Sequence, residues 1–195
     1  MNLSELLNGP IGQSVINNVS AQLGMDQKQA AGAVNIAIPA ILAGMTRNAQ
    51  SPQGATSLNN ALEAKHDGSL LDNLTGMLQG NAANLQQDGA GILGHVFGSQ
   101  KQAVEQGISQ KTGISLQKIG PLLAMLAPIV MAYLGKEKRQ ANTGAGGLGD
   151  LLGGLLGGAQ PQKRSGGGLM GMVGGLLDKN KDGNVLDDIF GMIKQ

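Results

Sequence analysis

The sequence predicts an all-α protein in three parts: a helical domain, a Gly-rich linker and a C-terminal EF-hand-like element made of a loop and a helix. Three observations carry this prediction. Apolar residues recur at helical spacing through the first part, a segment of that part is repeated, and an Asp-Asn-Asp-Gly pattern stands near residue 180. The predicted domains are residues 1–139, 140–168 and 169–195.

The helical domain contains an internal repeat, because residues 19–47 align with residues 108–136. Gly24 aligns with Gly113, and Pro39 aligns with Pro128. Each copy predicts a short helix, a glycine turn and a long apolar helix whose internal proline kinks it. Asp26 and Ser115 are predicted to be the N-caps of the long helices. We expect these helices to pack on each other through the apolar residues Ile36, Ile38, Ile41, Leu42 and Met45 of the first and Leu122, Leu123, Met125, Leu126, Ile129, Val130 and Met131 of the second.

The longest apolar run lies in the second copy, from Ile119 to Leu134. It is shorter than the roughly 20 residues of a membrane-spanning helix, and it includes prolines. We therefore expect a buried core helix rather than a membrane-spanning one, and a membrane is an unlikely partner. The first ten residues have no basic region before an apolar run, so they do not predict a signal peptide. The expected location is cytoplasmic.

Residues 140–168 are rich in glycine and predict a flexible linker. Short apolar islands interrupt the glycines, among them Leu151-Leu152 and Leu155-Leu156. We expect loose order here, with short helices that dock elsewhere.

Composition argues against several classes of function. The net charge is +1 and aromatic residues make up 2% of the chain, so nucleic-acid binding is not expected. The absence of cysteine excludes disulfides, thiolate metal sites and cysteine nucleophiles. Neither a phosphate-binding loop nor a nucleophile-elbow motif is present, and we expect no enzymatic activity.

The segment from Asp178 to Asp188 resembles the first part of an EF-hand calcium loop. Carboxylate and amide oxygens at alternate positions suit the hard-oxygen shell of Ca²⁺, and the glycine that follows permits the sharp turn. The pattern departs from an EF-hand at position 12, where Ile189 replaces the bidentate glutamate. Either an acidic residue at position 10 or 11 closes a shortened loop, or water completes the shell. The candidate ligands are Asp178, Asn180, Asp182, Asn184, Asp187 and Asp188.

The same pattern has a simpler interpretation. A polar turn followed by a helix with acidic residues in its first turn is stabilised by the helix dipole without any metal.

The two histidines, His66 and His95, are isolated from any cluster of metal ligands in the sequence, so they do not predict a zinc site. We expect His95 to be packed or to cap a helix.

Three features together resemble a bacterial family catalogued as domain of unknown function 937. They are the segment Gly91–Gly98, the proline-containing apolar segment Leu122–Leu134 and the terminal Asp-x-Asn-x-Asp-Gly pattern. The resemblance implies a mainly helical bacterial protein with no established activity, and it implies no catalytic residues.

The predicted function is that of a non-enzymatic, calcium-binding structural or protein-interaction module. Its partner would be an unidentified protein or a second copy of the chain. The alternative is a metal-independent protein that self-assembles or associates with a membrane surface, and it rests on the Gly/Leu islands.

Overall fold

The computed structural model describes residues 7–66, 68–72, 76, 80 and 82–157. These residues form helices and turns, and none of them lies in a strand. The prediction of an all-α protein is therefore confirmed for this part of the chain. The helices are α1 (Pro10–Leu23), α2 (Gln27–Ala49), α3 (Pro52–Ala64), α4 (Ser69–Asp72), α5 (Ala82–Phe97), α6 (Lys101–Thr112), α7 (Leu116–Gln140) and α8 (Leu148–Gly157), with 3-10 turns at Gly98–Gln100 and Ala145–Gly147.

Helix α7 is the centre of the fold. Every residue from Leu122 to Gly135 is buried, as expected for a helix that is apolar around its whole circumference. Helix α5 packs on α7 more extensively than any other described helix does, and α2 also contacts α7, as predicted from the two long apolar helices. The other described helices complete the layer around α7.

Helices α2 and α7 are long and apolar enough to cross a membrane by length and composition alone. The apolar window of α7 is 83% buried inside the protein, and that of α2 is 44% buried. Core helices of globular proteins are equally apolar. Because α7 is mostly buried inside the protein, its place in the core explains its apolar composition.

Two glycine turns lead into the long helices, at the positions that the sequence predicts. Gly24 and Gly113 both have left-handed backbone conformations, with φ of 56° and 69°. Before each glycine, a serine hydroxyl donates a hydrogen bond across the turn: Ser20 Oγ to the Met25 carbonyl oxygen at 2.7 Å, and Ser109 Oγ to that of Ile114 at 2.6 Å. Both turns are thus closed by the same hydrogen bond.

The N-caps of the long helices differ. The Asp26 carboxylate accepts a hydrogen bond from the Gln29 backbone N–H at 2.8 Å, so it caps α2. Ser115 stands at the N-cap of α7, but its side chain makes no capping hydrogen bond. Both helices continue without interruption through their internal prolines.

Helix α5 approaches α7 closely at Gly89. A Cβ atom at this position would lie 2.6 Å from the carbonyl carbon and 2.9 Å from the Cα atom of Ala124. The absence of a side chain therefore lets the two backbones pack directly against each other.

The first part of the predicted linker is structured. Residues 148–157 form α8, and the leucines Leu148, Leu152, Leu155 and Leu156 are buried in the main core. Helix α8 contacts α2, α3 and α7. This stretch thus belongs to the helical body, because leucines at helical spacing supply an apolar face despite the many glycines. The rest of the predicted linker, residues 158–168, lies outside the described residues.

Candidate functional site: a polar cluster around His66

The predicted calcium ligands Asp178, Asn180, Asp182, Asn184, Asp187 and Asp188 lie outside the described residues. Within the described residues, no group of three or more histidine or acidic side chains is arranged to hold a metal ion. The polar chemistry of the described core is found instead on the connection after α3 and in the last turns of α7.

Three buried polar or charged residues stand out in the otherwise apolar interior of the described chain: His66, Glu137 and Lys138. Lys138 contacts Glu63 of α3, and the connection after His66 lies against the last turns of α7. We call Asn59, Glu63, His66, Asp88 and Lys138 the polar cluster.

The sequence after α3 brings His66 to this place. Helix α3 begins after Ser51, whose hydroxyl accepts a hydrogen bond from the Gly54 N–H at 3.1 Å, and it ends at Ala64. Gly68 then adopts φ of +99°, where a Cβ atom would lie 2.9 Å from the Lys136 Cβ. Glycine thus allows the connection between α3 and α4 to lie against α7.

An ion pair joins α3 to the end of α7. The Lys138 Nζ donates a hydrogen bond to the Glu63 Oε1 at 2.6 Å, and the side chains are 8% and 60% exposed. Hydrogen bonds from Lys138 and then from Asn59 lower the pKa of the Glu63 carboxyl, and the charge of Lys138 adds to this effect. The buried ammonium therefore depends on a partner that is itself largely in water.

His66 is the most deeply buried of these polar groups, with 4% of its surface exposed. Its Nε2 lies 3.6 Å from the Asp88 Oδ2 on α5, which is longer than an ordinary hydrogen bond. Its Nδ1 is buried and has no hydrogen-bond partner in the part of the chain that the structure describes. Burial lowers the pKa of His66, while the carboxylate of Asp88 raises it and the charge of Lys65 lowers it further. The net shift is downward, which favours the neutral ring.

A shallow, open depression of the surface adjoins Asp88 and is lined by Asn84, Gln87, Asp88 and Gly91, all of them exposed. These residues lie on one face of α5, because they are spaced by three and four positions. His66 is not among them. The depression therefore offers one carboxylate and two amides, and the imidazole does not line it.

The two histidines have different surroundings. His95 is exposed in the last turn of α5, and its backbone carbonyl accepts a hydrogen bond from the Asn48 Nδ2 at 2.9 Å. His95 thus lies at a helix end but is not packed. Nothing in the sequence points to a role for His66, because its neighbours Lys65 and Asp67 are polar and suggest an exposed turn.

One family model matches the chain, over residues 5–137, and its description is "Bacterial protein of unknown function (DUF937)". The chain belongs to this bacterial family. The resemblance that the sequence suggests is therefore confirmed. No curated protein and no solved structure was found to match.

The DUF937 match includes His66 and Asp88 and ends within α7. The Asp178–Asp188 segment lies beyond it. The His66–Asp88 pair therefore lies in the region that the family model covers, whereas the candidate calcium ligands lie outside that region.

Proposed function

We propose that this DUF937 protein is a non-enzymatic helical module that binds calcium through its C-terminal segment and presents that segment to the helical body or to a protein partner. The observation that carries the proposal is the spacing of oxygen-bearing side chains at Asp178, Asn180 and Asp182, followed by Gly183. The proposed cofactor is Ca²⁺, and the proposed location remains cytoplasmic.

The described helices support the structural half of the proposal. Polar side chains join the helices to one another, as Lys138 does with Glu63, and close turns by hydrogen bonds, as Ser20 and Ser109 do. Such groups stabilise a scaffold. The similar turns before α2 and α7 also support the proposal that residues 19–47 and 108–136 are two equivalent structural units.

In this proposal the cation orders the turn that follows Leu176-Leu177. Residues 185–193 then form a helix with an apolar face made of Leu186, Ile189, Phe190 and Ile193. Because Ile189 stands where an EF-hand has its closing glutamate, the missing oxygens come from Asp187, from Asp188 or from water. The site would therefore be weaker than a complete EF-hand.

Calorimetric titration of the full chain with CaCl₂ tests the proposal. We expect uptake by the wild type and its loss in Asp178→Ala and Asp182→Ala, while Asp150→Ala, an exposed carboxylate on α8, serves as the matched control. Separate Asp187→Ala and Asp188→Ala variants identify the closing residue. Absence of uptake by the wild type, or uptake unchanged in both loop variants, would remove calcium binding from the proposal.

The alternative function, metal-independent self-assembly or membrane-surface association, rests on exposed Gly/Leu islands. In the island between Leu148 and Leu156, four leucines are buried in α8, so this island does not provide an exposed surface. Sedimentation of the full chain with and without calcium, and with liposomes, separates the two functions: the alternative requires association that calcium does not change.

A further inference from the structure

We propose that His66 is a pH switch: its protonation favours release of the connection that follows α3, together with α4, from their position against α7. The proposal rests on the geometry of the polar cluster and is independent of calcium binding.

The surroundings of the buried imidazole favour its neutral form over its charged form. With 4% of the residue exposed and no partner for Nδ1 among the described residues, protonation would place a second N–H donor inside the protein without a described acceptor. A buried donor without a partner is costly, and a buried charge without a close partner is more so.

Asp88 does not fully compensate for that charge. Its Oδ2 lies 3.6 Å from Nε2, and its side chain is 44% exposed, so water screens the attraction. Lys65, next to His66, opposes a second positive charge. The end of α7 adds further charged groups to this part of the bundle, namely Lys136, Glu137, Lys138 and Arg139. Of these, Lys138 is already paired with Glu63.

The release is local because the elements on either side have their own attachments. The Glu63–Lys138 pair holds the end of α3, and it persists under mildly acidic conditions because the pKa of Glu63 is lowered. The connection and α4 are attached through His66, through the contact of Gly68 with Lys136, and through Leu71, which is buried in the core. Expulsion of His66 into water removes one of these attachments, so protonation favours the opening of the connection and α4 while α3 and α7 stay in place.

The expected magnitude follows from linkage. The reference pKa of an exposed histidine, which applies to the open state with His66 in water, is about 6.5. At pH 5.5, protonation therefore raises the ratio of the open state to the closed state by up to about tenfold, whereas at pH 7.5 it leaves that ratio almost unchanged. Protection of the backbone amides in residues 65–72 should fall by up to that factor between pH 7.5 and 5.5.

Hydrogen–deuterium exchange of the full chain at both pH values, with exchange times scaled to the intrinsic rate, tests this. His66→Gln removes the titrating group, and His95→Gln is the matched control because His95 is exposed. We expect the acid-induced loss of protection in the wild type and in His95→Gln, and its absence in His66→Gln. An equal loss in all three proteins, or none in the wild type, overturns the proposal.

If circular dichroism shows that His66→Gln does not fold, the imidazole NMR resonances of the wild type decide. His95→Gln assigns them by loss of one signal. The loss of protection must then follow the titration of the His66 resonance, and a loss that follows His95 or neither resonance overturns the proposal.

Discussion

The close approach of α5 and α7 at Gly89 gives the sharpest test of the fold. In Gly89→Ala, the new Cβ would lie 2.6 Å from the carbonyl carbon of Ala124 and nearer still to its oxygen. Carbon atoms in ordinary contact are about 3.5–4.0 Å apart, so the two helices would have to separate by about 1 Å. The obstacle is backbone, which a change of rotamer does not relieve.

The free energy of this change has two opposing parts. Alanine favours the helix over glycine by about 1 kcal/mol. Overpacking a well-packed core costs about 1–3 kcal/mol, and α5 and α7 form the most extensive helix–helix contact of the described chain. Gly91→Ala provides the control, because residue 91 lies on the same helix and a Cβ atom there would have no neighbour within 4 Å. The gain in helix propensity is common to both variants and cancels in the comparison.

We expect Gly89→Ala to be about 1–3 kcal/mol less stable to unfolding than Gly91→Ala. Urea unfolding followed by circular dichroism at 222 nm measures the difference, since the chain has no tryptophan. Equal stability of the two variants would refute the inferred backbone contact. Gly91→Ala itself should be at least as stable as the wild type.

Three further comparisons use the same unfolding assay. Asp26→Ala removes the side-chain cap of α2 and should cost about 0.5–2 kcal/mol, whereas Ser115→Ala should cost clearly less because Ser115 makes no capping hydrogen bond; equal costs would contradict this. Ser20→Ala and Ser109→Ala each remove one turn-closing hydrogen bond and should each cost about 0.5–1.5 kcal/mol, and a large difference between them would argue against equivalent turns. Glu63→Gln leaves the buried Lys138 ammonium without its charged partner, so it should destabilise the protein more than Lys138→Met does; the reverse order would show that the pair is solvated.

The features that the sequence predicts correctly are set by local chemistry. Gly24 and Gly113 stand where a left-handed residue ends a helix, and Asp26 is a residue type that caps helices, so neither feature depends on the rest of the chain. The burial of His66 depends on tertiary structure. The contact of Gly68 with α7 and the approach of Asp88 from α5 are long-range in sequence, and no local pattern near residue 66 predicts them.

The boundary of the helical body also depends on tertiary packing, and two truncated chains test it. A chain that ends at residue 157 keeps α8, whereas one that ends at residue 140 loses the four leucines that α8 buries. Complete burial of a leucine stabilises a protein by about 1.5–3 kcal/mol before the entropy of ordering the chain is subtracted, so the gross loss is comparable with the whole stability of an ordinary domain. We therefore expect the longer chain to unfold cooperatively near the wild-type urea midpoint and the shorter one to unfold at a clearly lower midpoint. The same midpoint for both would mean that α8 adds nothing to the core, and the boundary predicted near residue 139 would then describe the folded unit better.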